Sequence, residues 1–285
     1  MWEGIYRVIK RTEIRREDTP LIKEGKVLGM RESAELLTRT FYPDDDEDKD
    51  QEVHKEIRTK ALRVNEGPSE GFLEPPFTEQ ELNRVLNSFN PKKAPGRDGL
   101  SFDICREAIM VDPTLFLALI NKCLSIGHFP TIWKEATVVI LRKPGRTDYT
   151  IPKAYRPIGL LPVMGKIAEK LLVARASWHI VPHLSARQYG FMPQRGTEDA
   201  LYDLLSNIKD PIAEKKIAVL VSLDIEGAFD SAWWPAIKCR LAEAGCPTNL
   251  RRVFDSYLKR QESETKIRGT VRRKESVQKV ACKDL

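Results

Sequence analysis

The chain has 285 residues and a formal net charge of +6 at pH 7, and a chain of this order can bury about three quarters of its unfolded surface, so it can fold alone. The five cysteines form no C-x-x-C pair, which argues against a zinc ribbon and a disulfide framework and favours a reducing, nuclear or cytoplasmic location. The N-terminal stretch has no long apolar core, so we predict neither a signal peptide nor a membrane partner.

The charge is unevenly distributed along the chain. Acidic residues are concentrated in "DDDEDKDQE" at 44–52, whereas "NPKKAPGR" at 90–97 and "LRKPGR" at 141–146 are basic. Without the acidic run the remainder is distinctly basic, as is typical of proteins that bind a polyphosphate backbone. The alternative is ordinary solvated charge.

Residues 1–70 are charged and rich in loop formers, and we predict a partly disordered N-terminal linker or extension there. The pattern of helices and strands becomes clearer from residue 71, and residues 71–285 are predicted to form one domain. Its first helix begins at Thr78, which has capping-box spacing to Glu81, and ends at Asn90, which precedes a proline.

Further elements follow in chain order. They are helical patterns around 101–125, a strand at 136–143, a helix at 166–178, a helix from 197 capped by Thr197, a strand at 217–223, and helices at 236–245 and 250–260. Helices interleaved with a few strands predict a helix-rich α+β fold, with α/β as the alternative, and exclude a bundle or a sandwich.

The stretch "IAVLVSLDIEGAFD" ends an apolar run on an aspartate. Residues 217–223 are predicted to be a short buried strand, so that Asp224 lies where the strand meets solvent. A carboxylate in that position can hold a hard divalent cation. A phosphohydrolase with an aspartate nucleophile is an alternative, but that chemistry usually requires a second aspartate two residues later, where this chain has Glu226.

A basic hairpin is predicted within 141–161. Lys143 follows one strand and Arg156 precedes a second apolar run, with a connection rich in proline and glycine between them. Arginine binds phosphate oxygens as a fork and lysine as a point charge, so the pair suits a triphosphate. The alternative is a solvated hairpin.

Five segments in order carry a family resemblance. "KKAPGRDGL", "PTIWKEATVVILRKPG", "YRPIGLLPVMGKIAEKLL", "QYGFMPQRGTEDAL" and "LDIEGAFDSAWW" resemble successive blocks of a non-LTR (LINE-type) retrotransposon reverse transcriptase, most like the arthropod site-specific elements. The resemblance implies the fingers and first part of the palm of a right-hand polymerase for 71–285. Residues 1–70 resemble the linker that follows an upstream endonuclease in this family.

The resemblance also implies roles for individual residues. Asp224 becomes a catalytic metal ligand, the backbone carbonyl of Ile225 a further ligand, and Mg²⁺ or Mn²⁺ the cofactor of a completed site, in keeping with two-metal phosphoryl transfer. Lys143 and Arg156 are expected to contact the incoming dNTP, and Phe229 to select its sugar. Contacts with the RNA template and DNA primer are expected from Lys92, Lys93, Arg97, Gln194 and Arg195.

The later family blocks, a Pro-Gln-Gly segment and a hairpin with two adjacent aspartates, are not found before residue 285. We therefore expect a fragment that binds nucleic acid without polymerising, and a non-catalytic RNA- or DNA-binding remnant is the alternative function. The string "YPDD" at 42–45 fits the hairpin pattern but lacks flanking apolar strands. Asp230 is expected to support a turn and not to bind metal.

The string "HIVPH" places His179 and His183 four residues apart, which on a helix would form half a zinc site. Pro182 interrupts that turn, and no third ligand is near in sequence. Structural histidines are therefore the favoured interpretation.

Overall fold

The computed structural model describes residues 20–42, 45–65, 72–225, 228 and 232–259, and the backbone of two strands at 262–267 and 270–274. In this part the chain has the predicted helix-rich α+β fold. The strands are β1 (Ile22–Lys23), β2 (Lys26–Val27), β3 (Glu135–Arg142), β4 (Tyr155–Leu160), β5 (Glu262–Ile267) and β6 (Thr270–Lys274). The α-helices are α1 (Met30–Phe41), α2 (Glu52–Arg63), α3 (Glu79–Asn87), α4 (Phe102–Val111), α5 (Pro113–Ile126), α6 (Val163–Ile180), α7 (Thr197–Ala213), α8 (Trp234–Glu243) and α9 (Thr248–Leu258).

The main core is built by helices α3, α4, α5, α6 and α9. Helix α3 starts where the sequence predicts, because Thr78 accepts a hydrogen bond from the Glu81 N–H at 3.3 Å while the Glu81 carboxylate accepts one from the Thr78 N–H at 2.9 Å. Its apolar face is buried against the other helices of the core. Residues of that core include Leu82, Val85, Leu86, Phe102, Cys105, Ile120, Ile167, Leu171, Leu250 and Val253.

A mixed four-stranded sheet in the order β4-β3-β5-β6 lies beside the helices. Strand β3 is antiparallel to β4 and parallel to β5. The predicted strand at 136–143 and the hairpin that follows it are thus confirmed. The β-branched residues of "ATVVI" suit the interior of a sheet, and Val138 is completely buried.

The predicted strand at 217–223 is wrong. Residues 216–225 form no strand, and the apolar side chains there are exposed, Ile217 by 92% and Leu223 by 90%. In the four-stranded sheet the open edges belong to β4 and β6, and the segment pairs with neither of them. An apolar run indicates a strand only when another strand is available to satisfy its backbone groups.

The predicted helix cap at Thr197 is also wrong, although the helix is present. Thr197 is the first helical residue, Gly196 is the N-cap, and the Asp199 carboxylate accepts a hydrogen bond from the Gly196 N–H at 2.7 Å. The Asp199 carboxylate thus satisfies the N–H of the N-cap residue, while Gly196 itself supplies no side-chain hydrogen bond to the helix. None of the residues of α7 is buried.

Part of the predicted N-terminal linker is folded against the rest of the chain. Leu21 and Leu37 pack with Tyr155 of strand β4, and helix α2 contacts helix α8. The acidic run is tied to α2, because Arg58 forms an ion pair with Asp45 at 2.7 Å and a second one with Asp50. The second aspartate of "YPDD" therefore has a structural partner, whereas Pro43 and Asp44 lie outside the described residues. The boundary near residue 70 between the linker and the following domain stays a prediction.

Four cysteines in the described part, Cys105, Cys123, Cys239 and Cys246, are buried and free of disulfides. Burial raises the pKa of Cys246 to about 11, so its thiol stays protonated and behaves as a small apolar side chain.

Among the described residues, no single helix has both the length and the apolar character to cross a membrane, while the pair α4 and α5, bent by 100°, reaches that length and composition together.

Candidate nucleotide and nucleic-acid site

The β3–β4 hairpin brings the two predicted triphosphate contacts together. Leu141 lies directly opposite Arg156, and the Lys143 N–H donates to the Ala154 carbonyl at 2.8 Å, which extends the pairing past the end of β3. Lys143 follows Leu141 by two residues, so strand alternation places Lys143 and Arg156 on the same face. Diagonal neighbours of this kind lie about 7–8 Å apart, within reach of long side chains. Arg156 is exposed and Lys143 half-buried.

The opposite face of the hairpin is fixed by aromatic residues. The guanidinium of Arg142 lies 4.8 Å from the ring centroid of Tyr149. The Tyr149 hydroxyl donates to the Lys143 carbonyl, and the Tyr155 hydroxyl donates to the Tyr149 carbonyl, each at 2.8 Å. These bonds hold the connection against its own strands, so the backbone that carries both cations is ordered before any ligand arrives.

The basic loop at 90–97 rests on the start of helix α6. A methyl group on Gly96 would come within 2.4 Å of the Pro162 nitrogen, so only glycine permits this approach. Arg97 forms an ion pair with Glu135 at 3.1 Å, which joins the loop to the first residue of β3. Lys92 is exposed, and the Lys93 ammonium lies 5.9 Å from the ring centroid of Phe89.

The two predicted groups of cations do not form one cluster. Glu135, the partner of Arg97, is the first residue of β3, and Lys143 follows the last residue of that strand. Glu135 and Lys143 are therefore eight residues, or about 26 Å, apart along the strand. The fold thus places the predicted template contacts near one end of β3 and the predicted triphosphate contacts at the other.

Lys170 carries no functional signal in the sequence, because "KIAEKLL" has the pattern of a core helix. Its ammonium lies 4.6 Å from the ring centroid of Phe89 and donates to the Ser88 hydroxyl at 3.1 Å. Phe102 stacks on Phe89 with ring centroids 5.0 Å apart, and the Lys93 ammonium lies 5.9 Å from the same Phe89 centroid, so two cations meet at one ring. No local signal in the sequence predicts this convergence, since it depends on how α6 packs on α3.

The third predicted template segment is the loop before α7. Arg195 donates from Nη1 to the carbonyls of Ala186 at 2.8 Å and Gln188 at 2.7 Å. Its guanidinium therefore braces the loop, a role that the sequence does not indicate. Gln194 is exposed, with a left-handed backbone at φ +60°.

Asp224 and Ile225 follow the exposed segment at 216–223 and are themselves exposed. Within the described ranges, no group of three or more His, Cys, Asp or Glu side chains could hold a metal ion. A hard dication such as Mg²⁺ needs about six oxygen ligands, so one carboxylate and one carbonyl do not by themselves fit the expected cofactor. Glu226, Phe229 and Asp230 lie outside the described residues.

Comparison with known proteins identifies the class. Residues 141–282 match the family described as "Reverse transcriptase (RNA-dependent DNA polymerase)". The RNA-directed DNA polymerase from mobile element jockey of Drosophila melanogaster is 33% identical over 213 residues, 70% of this chain and 23% of that protein. A putative 115 kDa protein in the type-1 retrotransposable element R1DM of the same organism is 28% identical over 247 residues, 86% of this chain and 22% of that protein. A probable RNA-directed DNA polymerase from transposon BS, also of that organism, is 28% identical over 198 residues, 68% of this chain and 22% of that protein.

The chain therefore belongs to the reverse transcriptase family. Within that family it is a reverse transcriptase domain fragment of the non-LTR retrotransposon type, as the motif order predicts. The chain spans less than a quarter of the length of these curated relatives.

Proposed function

We propose that the chain binds an RNA template with its DNA primer and presents Lys143 and Arg156 to the triphosphate of an incoming dNTP. In this proposal residues 71–285 supply the fingers and first part of the palm of an RNA-directed DNA polymerase, and residues 1–70 a linker. The observation that carries the proposal is the β3–β4 register, which sets both cations on one face of a braced hairpin.

The chemistry of the pair suits a polyphosphate. The Arg156 guanidinium can donate two parallel hydrogen bonds to phosphate oxygens, while the Lys143 ammonium adds a compact charge beside it. Strand pairing and tyrosine hydrogen bonds already order the backbone. Ligand binding therefore has to order the Arg156 side chain and to turn the Lys143 ammonium away from the Lys153 carbonyl, to which it donates at 2.9 Å.

Asp224, the Ile225 carbonyl and Phe229 stay proposed contacts for Mg²⁺ or Mn²⁺ and for the nucleotide sugar. The family is generally dependent on divalent metals, but the described residues contribute too few ligands for a metal pair. The same observation favours the second candidate function, a non-catalytic RNA- or DNA-binding protein. Both candidates require nucleic-acid binding, and only the first requires primer extension once the missing ligands are supplied.

Binding to a short RNA/DNA hybrid tests the shared part of the proposal. Phosphate contacts release counterions, so the affinity of residues 1–285 should fall steeply between about 50 and 200 mM salt. The double variant Lys92→Ala with Lys93→Ala should bind more weakly and show a shallower salt dependence, by about 0.9 in logarithmic slope for each phosphate that is no longer neutralised.

Lys55→Ala with Lys122→Ala is the matched control, because it removes the same charge from exposed positions on helices α2 and α5. That variant should retain the slope of the unmodified chain. An affinity that does not change with salt would remove the electrostatic basis of the proposal, and equal losses in the two variants would show that net charge, and not the loop, governs binding.

A further inference from the structure

Helix α7 is attached to the preceding loop by its polar face. Asp203 forms an ion pair with Arg187 at 3.5 Å, and the Arg187 guanidinium also donates to the Asn207 side-chain oxygen at 3.1 Å. Asp203 and Asn207 are four residues apart, so they lie one above the other on a single face of the helix. The loop therefore occupies the polar face of α7.

The opposite face of α7 is apolar and uncovered. Leu201 and Ile212, at its two ends, are 55% and 56% exposed, and no residue of the helix is buried. At about 100° per residue, Asp203 lies about 200° from Leu201, on the other side of the helix. The α7 stripe is the set of apolar residues at helical spacing on this face, namely Leu201, Leu204, Leu205, Ile208 and Ile212.

This arrangement is the reverse of the usual one. An amphipathic helix of a globular protein normally buries its apolar stripe and leaves its polar face in water. Within the part of the chain that the structure describes, α7 binds with its polar face and leaves 17 residues of helix, about 25 Å in length, without apolar cover. A continuous exposed apolar surface of this kind indicates an interaction site.

The charges beside the stripe indicate what covers it. Glu198, near the start of α7, and Lys209, near its end, are both exposed. They lie on the same side of the stripe, because eleven residues make about three turns. When two identical helices pack in the antiparallel direction, the same side of each comes together, and Glu198 of one meets Lys209 of the other. A parallel pair would instead set this side against the uncharged residues Thr197 and Ala200.

We propose that the α7 stripe is a self-association surface, on which α7 of a second copy of the chain packs in the antiparallel direction. The two-fold axis passes near Leu204 and Leu205, so that Leu201 of one copy faces Ile208 of the other. Such an interface is isologous, and the contact between Glu198 and Lys209 forms twice. Complementary charges beside the apolar seam set the orientation of the helices. This association goes beyond the proposed function, since it requires no nucleic acid.

Sedimentation equilibrium of residues 1–285 without nucleic acid tests the proposal. One pair of helices buries less than the roughly 1,200 Å² at the lower limit of standard interfaces, so the association should be weak. Between about 1 and 300 µM we expect a reversible equilibrium of monomer and dimer, with a Kd on the order of tens of micromolar.

Leu201→Ala with Leu205→Ala should raise this Kd at least about tenfold, because each side chain is lost from both copies. Alanine is a strong helix former, so α7 itself should persist, as circular dichroism can verify. Leu115→Ala with Leu119→Ala on helix α5 is the matched control. It removes two exposed leucines at the same spacing, 68% and 46% exposed, and should leave the Kd unchanged.

Charge reversal tests the orientation. Glu198→Lys alone and Lys209→Glu alone should each weaken self-association by about 3- to 10-fold, because each places like charges together twice. An equimolar mixture of these two variants should associate more tightly than either variant does by itself, since both contacts of the mixed dimer then join opposite charges. Only an antiparallel pairing of the two helices predicts this recovery.

A chain that stays monomeric at about 300 µM would overturn the proposal, as would growth beyond dimers, which indicates a contact that does not close on itself. Equal weakening by the α7 and α5 leucine variants would place the association on another surface. A mixture of the charge variants that associates no more tightly than either alone would contradict the antiparallel arrangement. None of these results would alter salt-dependent binding to an RNA/DNA hybrid, which tests the proposed function separately.

Discussion

Arg175 of helix α6 and Glu74, which precedes helix α3, form a buried ion pair with Nη1 and Oε1 2.5 Å apart and side chains only 4% and 3% exposed. Arg175 also donates to the Glu81 carboxylate and to the Pro76 carbonyl. The Asn249 side chain accepts a hydrogen bond from the Glu74 N–H and donates one to the Glu74 carbonyl. One guanidinium thus holds the segment entering the domain against α6, while Asn249 ties that segment to α9.

This network also accounts for one of the two histidines of "HIVPH". His179 Nε2 lies 2.9 Å from the second oxygen of Glu74, which agrees with the structural role predicted for it.

Arg175→Met is expected to destabilise the chain by about 3–5 kcal/mol, because it leaves the buried Glu74 carboxylate without its charged partner. Urea unfolding followed by circular dichroism measures the change. Arg240→Met is the matched control, since Arg240 pairs with Glu243 on the surface and its side chain is 85% exposed; its midpoint should not shift. Equal midpoints for the two variants would show that the buried pair contributes no net stability.

Acid should destabilise the fold through Glu81. Burial alone would raise the pKa of its carboxyl, but hydrogen bonds from Arg175 and Thr78 outweigh that effect and lower the pKa below its ordinary 4.5. A carboxylate with a lowered folded-state pKa stabilises the fold above pH 4.5, and that stability is lost as pH falls through the folded pKa.

The free energy of unfolding should therefore decline below about pH 4.5, and more steeply in the unmodified chain than in Arg175→Met, where Glu81 loses a principal partner. Unfolding curves at several pH values measure both slopes. Parallel slopes would contradict a role for the Arg175–Glu81 contact in the acid response.

Features formed by residues close together in the sequence could be predicted, whereas contacts between distant segments could not. The start of α3 is encoded within four residues by Thr78 and Glu81, and the β3–β4 hairpin by adjacent apolar runs and a connection rich in proline and glycine. The Arg175–Glu74 pair spans 101 residues, and no pattern in either segment indicates the other.

The failure at 217–223 has the same physical origin. Its composition is that of a strand, but a strand requires a partner, and in the described sheet the segment pairs with neither edge strand, β4 or β6. The bracing role of Arg195 was not predictable either, because its hydrogen bonds to the Ala186 and Gln188 carbonyls depend on how the whole loop folds.

Arg156→Lys should impair use of the triphosphate more than binding of the template, since a point charge cannot form the two parallel hydrogen bonds of a guanidinium. In a chain extended with the downstream sequence of a relative, we expect a higher KM for dNTP or a lower rate, with unchanged affinity for the RNA/DNA hybrid. An equal loss of hybrid affinity would assign Arg156 to the template path instead.

Residues 1–285 alone should bind primed template without extending it. Asp224 is exposed, and no group of three or more potential ligands lies in the described ranges, so the reacting groups would not be held in place; misplacement of about 1 Å can cost roughly a hundredfold in rate. With Mg²⁺, primed RNA and all four dNTPs, we expect no extension above background.

Joining the downstream sequence of a relative should produce extension that Asp224→Asn abolishes and that Phe229→Ala opens to ribonucleotides. Asp210→Asn on helix α7 is a control for the loss of one carboxylate, and extension should survive it. Clear extension by residues 1–285 alone, lost on Asp224→Asn, would show that this chain supplies its own further carboxylates and that the acidic run at 44–52 must be tested as their source.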